Sequence, residues 1–214
     1  MKFTHSFSAS LLLASSFFSN AQNIDDQINQ LLANMTLDEK VGQMTQLERK
    51  ELDHISDLAT YNIGSLLSGG GSAPTPNTLD GWINMYNEYQ TASLQSSSKI
   101  PLIYGIDAVH GHSNVVGAVI VPHNIGLGAT WNAKLVEDVS KVVANEVAAT
   151  GIDWTFAPCV AVPQNELWGR TYEGFGETAE INQIMGIASV VGLQGNDLAL
   201  DNTILACAKH FIGD

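Results

Sequence analysis

Asp107 closes the apolar run Leu102-Ile103-Tyr104-Gly105-Ile106, and Lys209 and His210 close another that begins at Ile204. Arg170 stands between Trp168 and Tyr172 in a stretch flanked by glycine. Charged or strongly hydrogen-bonding side chains directly after an apolar run mark the end of a buried strand, and in β/α proteins that end carries the ligand. A carboxylate placed there can accept from two neighbouring hydroxyls through charge-assisted bonds, which outweigh neutral ones. Arginine adds a planar fork of donors that also braces carboxylates. Consecutive strand residues point to opposite faces, so Lys209 and His210 reach one pocket only if the backbone is distorted near His210. The residues alone leave alternatives open. Asp107 reads equally well as the cap of a following helix, and Arg170 as a structural partner of Glu173 or Glu177.

Other chemistry is poorly represented. His110 and His112 lie close together but lack further ligands at diagnostic spacing, so no metal site is expected. His123, after Pro122, reads as a residue that orders a loop. The sequence carries no phosphate loop, dinucleotide fingerprint or serine nucleophile elbow, and no cofactor is expected.

The elements that must position these residues alternate between two periods. Helical spacing covers Asp25 to Asn34, and Thr36-Leu37-Asp38-Glu39 forms a capping box that opens a second helix through Met44. A third helix runs from Thr78 to about Gln95, with Leu79, Trp82, Ile83, Tyr86 and Tyr89 on one face. A fourth spans Ala133 to Ala149 after Asn132, with Leu135, Val136, Val139, Val142 and Val143 as its core face, and a fifth spans Ala179 to Leu193. Strands are expected at Ile63–Leu67, Leu102–Ile106, near Ile125–Ala129, Asp153–Val162 and Ile204–Phe211. No tight hairpin signal joins two strands, so the strands should be parallel with helical crossovers. A doubly wound sheet and a (β/α)8 barrel share that rhythm, and periodicity does not separate them.

Composition narrows the class. The chain has 214 residues, is 45% hydrophobic and 14% charged, and carries a formal net charge of −13. Such a chain folds, and its surface repels phosphate backbones and anionic lipid, so neither nucleic acid nor membrane is an expected partner. Residues 1–21 read as a signal peptide: Lys2, an apolar stretch from Phe7 to Phe18, then Ser19-Asn20-Ala21. The mature protein, residues 22–214, is therefore expected in the periplasm or outside the cell. Cys159 and Cys207 both lie in apolar runs and read as buried free thiols.

Taken together, Ile106-Asp107-Ala108-Val109-His110-Gly111, Trp168-Gly169-Arg170-Thr171-Tyr172-Glu173 and Ala208-Lys209-His210-Phe211-Ile212-Gly213-Asp214 resemble the N-terminal domain of glycoside hydrolase family 3. The resemblance is closest to its β-glucosidases and exo-β-glucanases, and extends from the Met35–Met44 block through Gly151-Ile152-Asp153-Trp154-Thr155-Phe156-Ala157-Pro158. It implies an α/β fold, a partial (β/α)8 TIM-type barrel truncated after about the first five strands, because a whole barrel needs roughly 250 residues. It also implies that Asp107, Arg170, Lys209 and His210 hold a terminal glucosyl unit of a β-glucoside or β-glucan oligosaccharide. Hydrolysis in this family is retaining and needs two carboxyls about 5–5.5 Å apart. Glu173 and Glu177 do not match the family's catalytic positions and read as partners of Arg170 or helix-start charges. The resemblance puts the nucleophile and proton donor beyond Asp214, in the remainder of the barrel and a second domain, which leaves this chain inactive alone. The same resemblance leaves room for a β-N-acetylhexosaminidase or a non-catalytic carbohydrate-binding fragment. Ser113, Val121 and Gln164-Asn165-Glu166-Leu167 depart from the family's usual residues around the pocket.

Overall fold

The structure is a computed structural model that describes residues 24–210. The expected signal peptide and the Phe211–Asp214 end of the last motif lie outside the described residues. Two units are distinct, residues 1–35 and 36–214. In the first, α1 (Ile24–Asn34) carries Asp25 and Asp26 in its first turn, where their charges favour a helix N-terminus.

In the second unit, α2 (Leu37–Gln43) begins with the expected capping box, the Thr36 side chain accepting from the Glu39 N–H while Glu39 reaches back. Next come β1 (Gln46–Glu48), a 3-10 turn at Arg49–Glu51, α3 (Asp57–Thr60), β2 (Ser65–Ser68) and α4 (Leu79–Ser93). The chain continues through β3 (Ile103–Ile106), α5 (Asn124–Gly128), α6 (Ala133–Ala148), β4 (Trp154–Thr155), a 3-10 turn at Thr171–Glu173 and α7 (Ala179–Gln194). Thr78, Asn132 and Thr178 cap α4, α6 and α7 by accepting from backbone N–H groups.

Among the described residues the four strands are all parallel and follow in the order β1-β2-β3-β4. Trp154 and Leu205 form a further parallel bridge, as do Cys159 and Lys209, so the segment toward Lys209 occupies the place of a fifth strand. A doubly wound sheet reverses its strand order at a switch point. This one advances in a single direction, as a barrel does. The architecture is α/β, a partial barrel.

The core explains the helix faces. Leu66, Tyr104 and Ile106 from the sheet are fully buried against Trp82 of α4, Ala144 and Val147 of α6, and Leu58 of α3. Burying one such aliphatic side chain contributes about 1.5–3 kcal/mol. On α6 the buried set is Val136, Ser140, Val143, Ala144 and Val147, which is one helical stripe, while Leu135 and Val142 face solvent. On α4, Met85 joins Trp82 inside and Leu79 is exposed. Helices α6 and α7 approach closely where Gly192 leaves no room for a Cβ beside the Glu137 carbonyl, and Ser140 donates to Ser189 across the contact at 3.1 Å.

Three expectations about elements need correction. The run at Ile125–Ala129 is the helix α5, because Asn124, Leu127 and Gly128 turn inward at helical spacing. The expected strand Asp153–Val162 is regular only over Trp154–Thr155, and Ala157–Pro158 is a cis peptide. The segment from Ile204 forms isolated bridges and no continuous strand among the described residues. Strand β1 went unanticipated, since Gln46-Leu47-Glu48 offers one apolar residue and no alternation to detect.

Candidate active site

Asp107 is the first residue after β3, at the carboxyl end of the sheet. Its backbone is held on both sides by fully buried Thr155 in β4. The Thr155 hydroxyl donates to the Ile106 carbonyl and accepts from the Ala108 N–H, each at 3.2 Å. A second anchor comes from α4. Trp82 Nε1 donates to Asn77 Oδ1 at 2.8 Å, Asn77 Nδ2 to the Asn114 carbonyl at 2.9 Å, and Asn114 Nδ2 to the Asp107 carbonyl at 3.1 Å. With its backbone fixed in this way, the Asp107 carboxylate projects toward solvent and is half exposed.

Lys209 reaches that carboxylate from the place of the fifth strand, with Nζ donating to Asp107 Oδ1 at 2.9 Å. Its backbone pairs with the segment after β4, the Lys209 N–H donating to the Pro158 carbonyl at 2.9 Å and the Val160 N–H to the Lys209 carbonyl at 2.6 Å. The Lys209–His210 peptide bond is cis. His210 Nε2 lies 3.1 Å from Arg170 Nη2. Arginine can only donate, so Nε2 is the bare nitrogen of the imidazole in this contact.

Arg170 is clamped by Glu173 in a bidentate pair, Nε to Oε1 and Nη2 to Oε2, both at 2.7 Å. The bonds from Arg170 hold the Glu173 carboxyl below the usual carboxylate range, against the opposing effect of burial. The turn carrying Glu173 is fastened in turn by buried Asn124, whose Nδ2 donates to the Glu173 carbonyl at 2.8 Å. Gly128 completes this joint, since a Cβ there would overlap the Phe175 carbonyl. His123 is sandwiched beside it, its ring centroid 4.0 Å from His110 and 4.6 Å from Tyr172. Burial, and then the neighbouring His110, push the His123 pKa down.

The structure thus brings Asp107, Lys209, His210 and Arg170 into one connected cluster, and of the two alternatives for Arg170 its partner is Glu173. Glu177 stands apart, immediately before the Thr178 cap of α7. His110 and His112 diverge: His110 faces His123, whereas His112 is buried 5.7 Å from the Trp82 ring and makes its contact with Thr150 at 3.3 Å. Cys159 is buried, Cys207 is partly exposed rather than buried, and both are free. Thr155, Asn124 and Asn114 escaped sequence reasoning, because a polar residue whose role is to bond distant backbone carries no local signal.

These charges nearly cancel. Asp107 and Glu173 balance Lys209 and Arg170, so the cluster offers acceptors and donors side by side without a net field. That arrangement suits neighbouring hydroxyls, each of which donates and accepts, better than it suits an anion. A parallel β/α sheet advancing in one direction, with such a cluster at its carboxyl edge, defines a domain of the barrel class.

The chain belongs to glycosyl hydrolase family 3, whose N-terminal domain matches residues 36–214. It is 36% identical to a lysosomal β-glucosidase of Dictyostelium discoideum over 88% of this chain and 26% of that protein. It is 33% identical to a periplasmic β-glucosidase of Salmonella typhimurium over 87% of this chain and 23% of that protein. The crystal structure of the exo-1,3/1,4-β-glucanase ExoP from a Pseudoalteromonas species superimposes with a TM-score of 0.83 at 42% identity, over 89% of this chain and 25% of that one. The chain spans about a quarter of the length of these relatives.

Proposed function

We propose that this chain is the sugar-gripping part of a longer β-glucosidase or exo-β-glucanase that releases terminal β-D-glucose from β-glucosides or β-glucan oligosaccharides. The observation that carries the reading is the contact of Asp107 with Lys209 at 2.9 Å, joined to that of His210 with Arg170 at 3.1 Å. In this reading Asp107 accepts from adjacent hydroxyls while Lys209, Arg170 and His210 supply the matching bonds, fixing one glucosyl ring. The β-glucosidase of Listeria innocua, 27% identical with a TM-score of 0.69, is a relative crystallised with laminaribiose, which supports a β-glucan ligand class. Bond cleavage follows a retaining double displacement, with a nucleophile and proton donor outside this sequence, so residues 22–214 alone do not hydrolyse glucosides. Export to the periplasm or cell exterior, on the pattern of residues 1–21, belongs to the same proposal.

A second reading has one observation in its favour. A family 3 β-N-acetylglucosaminidase from Paenibacillus sp. str. FPU-7 superimposes with a TM-score of 0.70 at 25% identity. The higher identity to the exo-β-glucanase favours glucose. Kinetics of the complete enzyme on aryl β-glucoside and aryl β-N-acetylglucosaminide decide between them, with the product anomer followed by NMR. Turnover of the glucoside with retention is expected; activity confined to the N-acetyl substrate overturns the first reading.

A further inference from the structure

A cavity distinct from the Asp107 cluster is bordered by the loop that carries Arg170. Its volume is about 430 Å³, and it is bounded by Trp131, Pro163, Gln164, Glu166, Phe175 and Glu177. Arg170, Asp107, Lys209 and His210 do not line it, although Thr171 does, so the two sites share the 3-10 turn at Thr171–Glu173 and the helix α5 packed against it, and none of the four cluster residues.

Trp131 is the most informative residue of this cavity. It is 63% exposed and has φ of 51°, a left-handed conformation in the short link between α5 and the Asn132 cap of α6. Glycine or asparagine ordinarily fills such a position after a helix, and a bulky residue there is disfavoured. The core does not account for it, since most of the side chain is turned to solvent. Outliers of this kind concentrate at ligand sites. Gln164, Glu166 and Glu177 make no side-chain hydrogen bond or ion pair among the described residues, so their acceptors and donors remain available to a ligand. Phe175 is buried and gives the cavity an apolar floor.

An exposed aromatic face beside two carboxylates and an amide has a restricted ligand chemistry. Anions are repelled by Glu166 and Glu177, within a chain of formal net charge −13. The apolar face of a pyranose ring stacks on indole, while its equatorial hydroxyls donate to carboxylates and exchange bonds with an amide. We propose that this cavity binds a run of two or three glucosyl residues of a β-glucan chain, a second polysaccharide site separate from the cluster around Asp107. The choice of β-glucan rests on the proposed function. Its consequence is that polymer is held near the catalytic pocket while its end is trimmed.

The test uses the complete enzyme carrying Trp131→Ala, and separately Glu166→Gln combined with Glu177→Gln. Affinity electrophoresis in gels containing soluble mixed-linkage β-glucan reads polymer binding directly. Kinetics on that polymer and on an aryl β-glucoside read its consequence. Both variants are expected to lose most of the retardation and to raise KM for the polymer about tenfold relative to KM for the aryl glucoside. Unchanged retardation in both variants overturns the proposal, as does a parallel loss on both substrates with altered near-UV circular dichroism, which makes Trp131 structural. Retardation that depends on Trp131 in an enzyme that hydrolyses no glucoside upholds this site and rejects the proposed activity instead.

Discussion

Replacing Glu173 by Gln isolates the clamp on Arg170. The pair is bidentate, with both bonds at 2.7 Å, and Gln keeps one oxygen while losing the charge and the second acceptor. A hydrogen bond to a charged group contributes about 1.5–3 kcal/mol. The Arg170 side chain is 43% exposed, so solvent screening reduces that figure to about 1–2 kcal/mol of lost orientation. Because Arg170 also meets His210, a guanidinium released from Glu173 loosens two of the four sugar contacts proposed above. The expected fall in kcat/KM for an aryl β-glucoside is about 5- to 30-fold, as a barrier increase of that size implies. The pH dependence adds a second signature. A carboxyl whose folded pKa is lowered contributes fully above its unfolded value and loses its contribution as pH falls through the folded one. The wild-type enzyme thus keeps its clamp well into the acid range, and any acid limb arising from Glu173 disappears in Glu173→Gln. A variant within about twofold of wild type at all pH values, with an unaltered acid limb, refutes the reasoning.

Asp107→Asn removes the charge that pairs with Lys209 and that, in the proposed function, accepts from sugar; two lost charge-assisted bonds, about 3–6 kcal/mol, correspond to a fall in kcat/KM of at least about 100-fold, read in steady-state kinetics. Thr155→Val conserves shape but removes the bonds flanking Asp107, so it is expected to destabilise the enzyme by about 1–2 kcal/mol in urea titration and to lower kcat/KM in parallel. Buried His112 is kept neutral, its pKa pushed down to about 4 by burial. Below about pH 6.5 the unfolded chain takes up a proton that the folded one refuses, so up to about 3 kcal/mol is lost between about pH 6.5 and 4. Urea midpoints across that range record the loss, and His112→Gln flattens their slope.

Much of the scaffold was legible because its signals are local. The Thr36–Glu39 box, the Asn132 cap and the apolar run ending at Ile106 each lie within a few residues, and each forms the element it announces. The helix α5 was not legible, since five residues including two glycines fit either period, and its inward turn is set by distant contacts with the Thr171–Glu173 turn. The same limit applies to the site. Asp107 and Arg170 announce themselves as charges after apolar or glycine-rich stretches, and Glu173 was a candidate partner by proximity. The residues that hold them, Thr155 for Asp107 and Asn124 for the Glu173 turn, act across 47 to 49 positions of sequence. Only the barrel-like succession of parallel strands makes those distances short.

The central claim is that four side chains on neighbouring strand ends and loops grip one glucosyl ring. A crystal structure of the complete enzyme with glucose tests it directly. Glucose hydroxyl oxygens are expected within about 2.6–3.2 Å of the Asp107 carboxylate, Lys209 Nζ, the Arg170 guanidinium and the His210 ring. Glucose bound away from Asp107 and Lys209, with their 2.9 Å contact undisturbed and no hydroxyl bridging it, contradicts the account.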